Sequence, residues 1–272
     1  MVSVPLMTIW NIAHRGGAGL RPENTLAAFS NAVLLGCDGA ELDVQLSADG
    51  VAVVHHDFCL NPALTRKDGR WLSGKTPRIK DLGFVDLQSF DVGRADPVSD
   101  YARNHPGLVA VDGARIPSLA EIVALCPDDF RLLVELKSST DPESVDPVAL
   151  ADAAFEIMDG QLARTIFVGF DWRGLARIRQ LSPDACCWFT TDKLQGDVRP
   201  VLDFIKAAGG QGWFPNYQDV TVESAREARS RGLQVGGWTV NDPAEMARLI
   251  ALGVDAICTD RPDILQSLEQ RG

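Results

Sequence analysis

One joint recurs along the chain and narrows the folds open to it. Leu35-Gly36-Cys37-Asp38, Arg231-Gly232-Leu233 and Leu252-Gly253-Val254-Asp255 each set a glycine between an amphipathic stretch and a short apolar run. Glycine suits a helix C-terminus, where the closing residue often takes a left-handed backbone. The joint therefore reads as helix, stop, strand. Apolar runs predict strands over residues 9–13, 39–44, 51–55, 132–136, 165–168, 185–189, 233–238 and 256–258. Apolar spacings of three and four predict helices over 26–35, 119–125, 148–158, 172–181, 198–208, 222–229 and 244–252. Ser118 with Glu121 has the pattern of a capping box, and Asp242, Pro243 and Glu245 that of an N-cap, an N1 proline and an N3 acid. Strands alternating with helices imply a parallel sheet. About eight of them fit an α/β fold of the closed TIM (β/α)8 barrel type. An open doubly wound sheet fits less well, since no GxGxxG follows the first strand.

The length of 272 residues suits one such barrel, so a single domain over 1–272 is expected. The pattern breaks over 58–115, where Gly, Pro and polar turns such as Lys67-Asp68-Gly69-Arg70 replace periodicity. So long an excursion reads as an insertion within the barrel, with a functional role. Lys and Arg total 26 against 37 Asp and Glu, a net charge of −11. That argues against nucleic acid or an anionic membrane as partner; a bound phosphate needs a few local cations or a metal. No apolar run is long enough to span a bilayer, and the N-terminal sequence lacks a leader pattern, so a cytoplasmic protein without stable membrane association is expected. Cys37, Cys59, Cys126, Cys186, Cys187 and Cys258 show no metal-finger spacing and read as thiols in a reducing compartment.

Chemistry-bearing residues collect at the predicted strand ends. His14 closes the first strand, and His55 and His56 close the third. Imidazoles titrate near neutrality, so two at one barrel mouth suit a general acid and a general base. Glu41 and Asp43 lie two apart on a strand and so share a face. Crowded carboxylates repel unless a cation lies between them, and their oxygens suit Ca²⁺ or Mg²⁺. Glu135 and Lys137 repeat the device with an acid and a base, which fits completion of a metal site and contact with a phosphate.

These residues, taken in order, resemble the glycerophosphodiester phosphodiesterase family: His14-Arg15-Gly16, Pro22-Glu23-Asn24-Thr25, Glu41-x-Asp43-Val44, Asp49-Gly50 and His56-Asp57. Glu135-Leu136-Lys137, Trp238-Thr239-Val240-Asn241 and Thr259-Asp260-Arg261-Pro262 continue the resemblance along essentially the whole chain. It implies a PLC-like TIM barrel with an insertion after the early strands. It further implies a metal-dependent phosphodiesterase that releases sn-glycerol 3-phosphate and an alcohol from a glycerophosphodiester. In that reading His14 and His56 are the acid/base pair, Arg15 and Lys137 hold the phosphate, and Trp238 lines the alcohol or glycerol pocket. Glu41, Asp43 and Glu135 ligate one divalent ion, Ca²⁺ or Mg²⁺. The resemblance also implies that the glycerol 2-hydroxyl attacks first, through a cyclic phosphate. Asn24 organises its loop, and His55 faces away from His56. After His56-Asp57 the chain reads Phe58-Cys59-Leu60-Asn61, where the family commonly has Arg-Thr-Thr. Two rivals remain. A lysophospholipase D-like hydrolase needs an apolar channel, for which Phe58, Leu60, Trp71, Leu72, Phe84 and Phe90 are candidates. A non-catalytic glycerophosphodiester-binding barrel predicts a broken histidine or carboxylate set, whereas here the set is complete.

Overall fold

The computed structural model describes residues 9–269, so residues 1–8 of the N-terminal stretch read for a leader lie outside it. The elements run β1 (Trp10–Ala13), α1 (Leu26–Leu35), β2 (Gly39–Leu46), β3 (Ala52–Val54), β4 (Arg66–Lys67), β5 (Arg70–Trp71), α2 (Phe84–Leu87), α3 (Asp100–Asn104) and α4 (Leu119–Leu125). They continue as β6 (Arg131–Leu136), α5 (Pro147–Met158), β7 (Thr165–Gly169), α6 (Trp172–Leu181), β8 (Cys186–Thr191), α7 (Arg199–Ala207) and β9 (Gly212–Pro215). α8 (Val222–Ser230), β10 (Gln234–Gly237), α9 (Pro243–Leu252), β11 (Ala256–Thr259) and α10 (Pro262–Glu269) complete the chain.

The parallel order β1-β2-β6-β7-β8-β9-β10-β11 closes on itself through β11 and β1, giving the eight-stranded barrel. Helix ends follow the local chemistry. Gly36 and Gly253 close α1 and α9 with left-handed backbones, the Ser118–Glu121 capping box starts α4, and Asp242 caps α9. Two strand assignments change. The run over 51–55 forms β3, which pairs antiparallel to β2 and is not a barrel strand. The eighth barrel strand is β9, whose Gly-Trp-Phe-Pro sequence carries two residues disfavoured in strands.

Alternation divides the barrel strands into two faces. Ala40, Leu42 and Val44 of β2 and Leu132, Val134 and Leu136 of β6 face outward into the main core beneath the helices. Ile12, Leu133, Ile166, Val168, Trp188, Phe214, Ala256 and Cys258 fill the interior. The fully buried Trp188 indole lies in this interior, stacked on Trp10 with centroids 5.8 Å apart. A Cβ on Gly212 would lie 2.5 Å from that indole, so only glycine fits there. The insertion has its own small core of Leu60, Ile79, Leu87, Phe90 and Val92, clustered with Val53 of β3 and with Ile116. Among the described residues, no helix is long and apolar enough to cross a membrane.

Candidate active site

Above the packed layer, the next inward positions on the same strands carry the chemistry. Glu41 and Asp43 follow on β2, Glu135 on β6 with Lys137 just after it, Thr190 on β8, and Trp238 after β10. His14 follows β1 directly, and all of these except Asp43 line one cavity of about 240 Å³ at the C-terminal mouth. Arg15, His56, Phe170, Phe214, Thr239 and Cys258 complete its wall.

Glu41, Asp43 and Glu135 present oxygens that all lie within 4.8 Å of one another, and all three side chains are buried. Asp43 sits directly across from Glu135 in the β2–β6 ladder, an unfavourable pairing of like charges. Two cations relieve part of it. Lys137 Nζ is 2.9 Å from Glu135 and 3.5 Å from Asp43, and Arg15 Nε is 3.3 Å from Asp43. Burial alone would raise the Asp43 pKa, but His56, Arg15 and Lys137 bring it well below the usual range. Glu41 goes the other way: burial, Asp43 and Glu135 all push its pKa up. Its Oε2 accepts from the Arg15 backbone N–H at 3.1 Å, while its buried Oε1 has no hydrogen-bond partner. An orphaned carboxylate oxygen beside two more carboxylates is a donor set that fits a hard divalent cation. Asn24, with φ of +55°, donates Nδ2 to Asp43 at 2.7 Å and so sets that carboxylate rather than only its own loop.

Arg15 reaches its place through a strained turn. It has φ of +50°, and Gly16 after it has φ of +81°. A Cβ on Gly16 would come within 2.7 Å of Ala28 in α1, so the turn needs glycine. The bend aims the Arg15 N–H at Glu41, while its Nη1 donates to Glu23 at 2.9 Å. Burial would lower the pKa of Arg15, but Glu23, Asp43 and Glu41 more than reverse that, and Glu135 and Asp43 do the same for Lys137. Both stay charged.

The two histidines are held alike. His14 Nδ1 lies 2.6 Å from Asp260 Oδ1, and His56 Nδ1 lies 2.7 Å from Asp57 Oδ1. An ionised carboxylate only accepts, so each Nδ1 carries the proton and each Nε2 is left for other work. His14 Nε2 stands 3.8 Å from Glu41. Burial raises both aspartates, yet His14 and His105 beside Asp260, and His56 and Asn61 beside Asp57, hold them well below the usual range. Both remain anions. Asn241 donates to Asp260 at 2.6 Å and Asn61 to Asp57 at 2.8 Å. His56 does not come from a barrel strand end, as the strand assignment over 51–55 implied. β2 overshoots the mouth, β3 returns along it, and the His55 N–H bonds to the Asp43 carbonyl, which brings His56 over the carboxylates. Three backbone carbonyls, those of His55, His56 and Asp57, accept from Gln45 Nε2 and fix this corner. As expected from alternation, His55 turns away. Its ring is buried against Glu23, Asn24, Leu64, Val92 and Ile116, and burial lowers its pKa.

The insertion contributes no side chain to this cavity among the described residues. Leu60 and Phe90 are in the insertion's own core, with Leu72 and Phe84 packed on it, and Trp71 lies under Arg66. None of the six candidate channel side chains, Phe58 included, lines this cavity. Asp260, Glu23 and Asp57 are the residues that sequence reasoning left without roles. Asp260 had a signal, since it shares inward parity with Cys258 at the end of β11.

The model of the glycerophosphoryl diester phosphodiesterase family matches residues 14–264. A glycerophosphodiester phosphodiesterase of Caldanaerobacter subterraneus subsp. tengcongensis is 30% identical over 264 residues, covering 96% of this chain and 98% of its own. A Silicibacter pomeroyi structure carrying a provisional name of the same activity superposes with a TM-score of 0.88 at 33% identity, covering 97% of this chain and 95% of its own. An Oleispira antarctica phosphodiesterase, solved in complex with the product sn-glycerol 3-phosphate, has a TM-score of 0.77 at 24% identity, covering 95% and 96%.

Proposed function

The chain belongs to the glycerophosphoryl diester phosphodiesterase family and is a hydrolase of that class, and we propose that it releases sn-glycerol 3-phosphate and an alcohol such as choline, ethanolamine or glycerol from a water-soluble glycerophosphodiester. The observation that carries this reading is the meeting of two carboxylate-held histidines in the lining of one cavity that also exposes Arg15, Lys137, Glu41 and Glu135. The Oleispira antarctica relative binds the product proposed here.

A phosphodiester brings one negative charge, which grows on the phosphoryl oxygens as a nucleophile adds. Arg15 and Lys137, both kept charged by their carboxylate neighbours, bind and orient that group. A single Ca²⁺ or Mg²⁺ held by Glu41, Asp43 and Glu135 would supply further stabilisation of the growing charge. One histidine takes the proton of the glycerol 2-hydroxyl through its free Nε2 as that oxygen bonds to phosphorus. The other protonates the departing alkoxide as the phosphorus–oxygen bond to the alcohol breaks. The resulting cyclic phosphate is opened by water with the two roles exchanged. A tethered hydroxyl avoids the entropy cost of recruiting water, which favours this route. Trp238 spends its Nε1–H on the Phe214 carbonyl and meets Phe170 edge-on, so it offers the alcohol side of the cavity an aromatic face.

The test is a panel of glycerophosphocholine, glycerophosphoethanolamine, bis-glycerophosphate, a long-chain lysophosphatidylcholine and the 2-deoxy analogue of the best substrate. The proposal expects sn-glycerol 3-phosphate from the soluble diesters and slowing of roughly 100-fold or more for the analogue. Preference for the lysolipid would overturn the substrate class, and normal turnover of the analogue would leave water as the nucleophile.

A further inference from the structure

We infer that α3 of the insertion is a positioning strap for the phosphate site, in which Tyr101 sets Arg15 through Glu23 and His105 sets His14 through Asp260. Neither residue lines the cavity, so each acts through the carboxylate it meets. The Tyr101 hydroxyl donates to Glu23 Oε2 at 2.6 Å, while Glu23 Oε1 accepts from Arg15 at 2.9 Å. With one oxygen held on each side, the carboxylate cannot rotate, and the guanidinium is held with it. Burial and the neighbouring Glu23 push the Tyr101 pKa far above the ordinary phenol range, so its hydroxyl stays a neutral donor at any working pH.

The second arm begins one helical turn later. His105 Nδ1 lies 2.9 Å from the Tyr101 carbonyl, an atom that only accepts, so Nδ1 bears the proton. That leaves Nε2 facing Asp260 Oδ2 at 3.9 Å, and the two rings of α3 stack with centroids 4.1 Å apart. Asp260 in turn accepts from His14 at 2.6 Å and from Asn241 at 2.6 Å. Asp260 favours the charged form of His105, and burial opposes it only in part, so the pKa of His105 is raised. The segment is also tied down by backbone: Val109 N–H donates to the Leu20 carbonyl at 3.1 Å, in the loop that follows Arg15 and Gly16. Two side chains one helical turn apart in a long insertion thus end on the two carboxylates that orient the phosphate cation and one of the proton carriers.

The inference rests on the roles proposed above for His14 and Arg15. The experiment measures kcat and KM with glycerophosphocholine for Tyr101→Phe, His105→Ala and His105→Gln, with His14→Ala and Arg15→Lys as references and a thermal melt for each. Tyr101→Phe is expected to raise KM roughly three- to tenfold with kcat little changed, because phosphate binding loosens. His105→Ala is expected to lower kcat by roughly tenfold with KM held. His105→Gln, whose amide nitrogen can replace Nε2, is expected to recover most of that loss. This split and rescue are not produced by a segment that merely props the fold. Equal changes in kcat and KM that track a lowered melting temperature would overturn the strap. So would wild-type kinetics in both arms while His14→Ala and Arg15→Lys remain impaired. Unimpaired His14→Ala and Arg15→Lys would instead overturn the underlying roles, and the strap with them.

Discussion

Asp260→Asn tests the proton relay at a single atom. In the wild type, Asp260 Oδ1 accepts from His14 Nδ1 at 2.6 Å and Oδ2 accepts from Asn241 at 2.6 Å. Asn241 is itself fixed, since its Oδ1 accepts from the Asp260 N–H at 2.9 Å and from the Thr259 hydroxyl at 3.1 Å. It therefore keeps donating to whatever oxygen residue 260 offers. In Asp260→Asn that demand pins the amide oxygen toward Asn241 and turns the amide NH₂ toward His14. His14 Nδ1 must then accept, its proton moves to Nε2, and the ring presents the wrong tautomer to the cavity. Loss of base function and of the stabilising carboxylate is expected to lower kcat by roughly 10²- to 10⁴-fold, a barrier increase of about 3–5 kcal/mol. The substitution keeps shape and most hydrogen bonds, so the melting temperature changes little. Steady-state hydrolysis of glycerophosphocholine reads the effect, with KM as the internal control. A kcat within about threefold of wild type would refute the assignment of Asp260 as the residue that sets the His14 tautomer.

His56→Ala is expected to lose roughly 100-fold or more in kcat and His55→Ala far less, because only His56 reaches the cavity; the reverse ranking in the same assay would contradict the placement of β3. Burial lowers the pKa of His55, so below the unfolded value of about 6.5 the unfolded chain binds a proton that the folded chain refuses. Folding stability should therefore fall on acidification from about pH 7, by at most about 1.4 kcal/mol per unit from this group, and urea melts of His55→Leu should show that part of the slope gone. Gly212→Ala is expected to cost about 1–3 kcal/mol by urea denaturation, since its Cβ would lie 2.5 Å from Trp188; an unchanged midpoint would mean the central layer is looser than described.

The barrel was legible because its joints are local. Each helix stop needs a glycine or a cap, and each buried strand needs an apolar run, so those signals stand in the sequence itself. β9 escaped because its glycine serves the Trp188 indole of a neighbouring strand, a requirement with no local mark. The run over 51–55 was a true strand with the wrong neighbours; periodicity reports which residues share a face but not whether the strand runs with or against the barrel. That same periodicity placed Glu41 with Asp43 and turned His55 from His56 correctly, since both relations lie within one segment. The partners that orient the site were harder to see. His14 and Asp260 are 246 residues apart, and Tyr101 meets Glu23 across 78, distances over which only the closed fold brings groups together.

The central claim is that the two histidines work over a carboxylate-held divalent ion, and metal replacement tests it most directly. Protein stripped by exhaustive chelation and checked by elemental analysis is assayed for sn-glycerol 3-phosphate release from glycerophosphocholine while Ca²⁺ or Mg²⁺ is titrated back. The orphaned Glu41 Oε1 and the crowding with Asp43 and Glu135 predict no turnover in the stripped protein. Activity should return as about one ion binds per chain, and Glu41→Ala should neither bind nor recover. Full turnover by the metal-free protein, or normal recovery in Glu41→Ala, would contradict the claim.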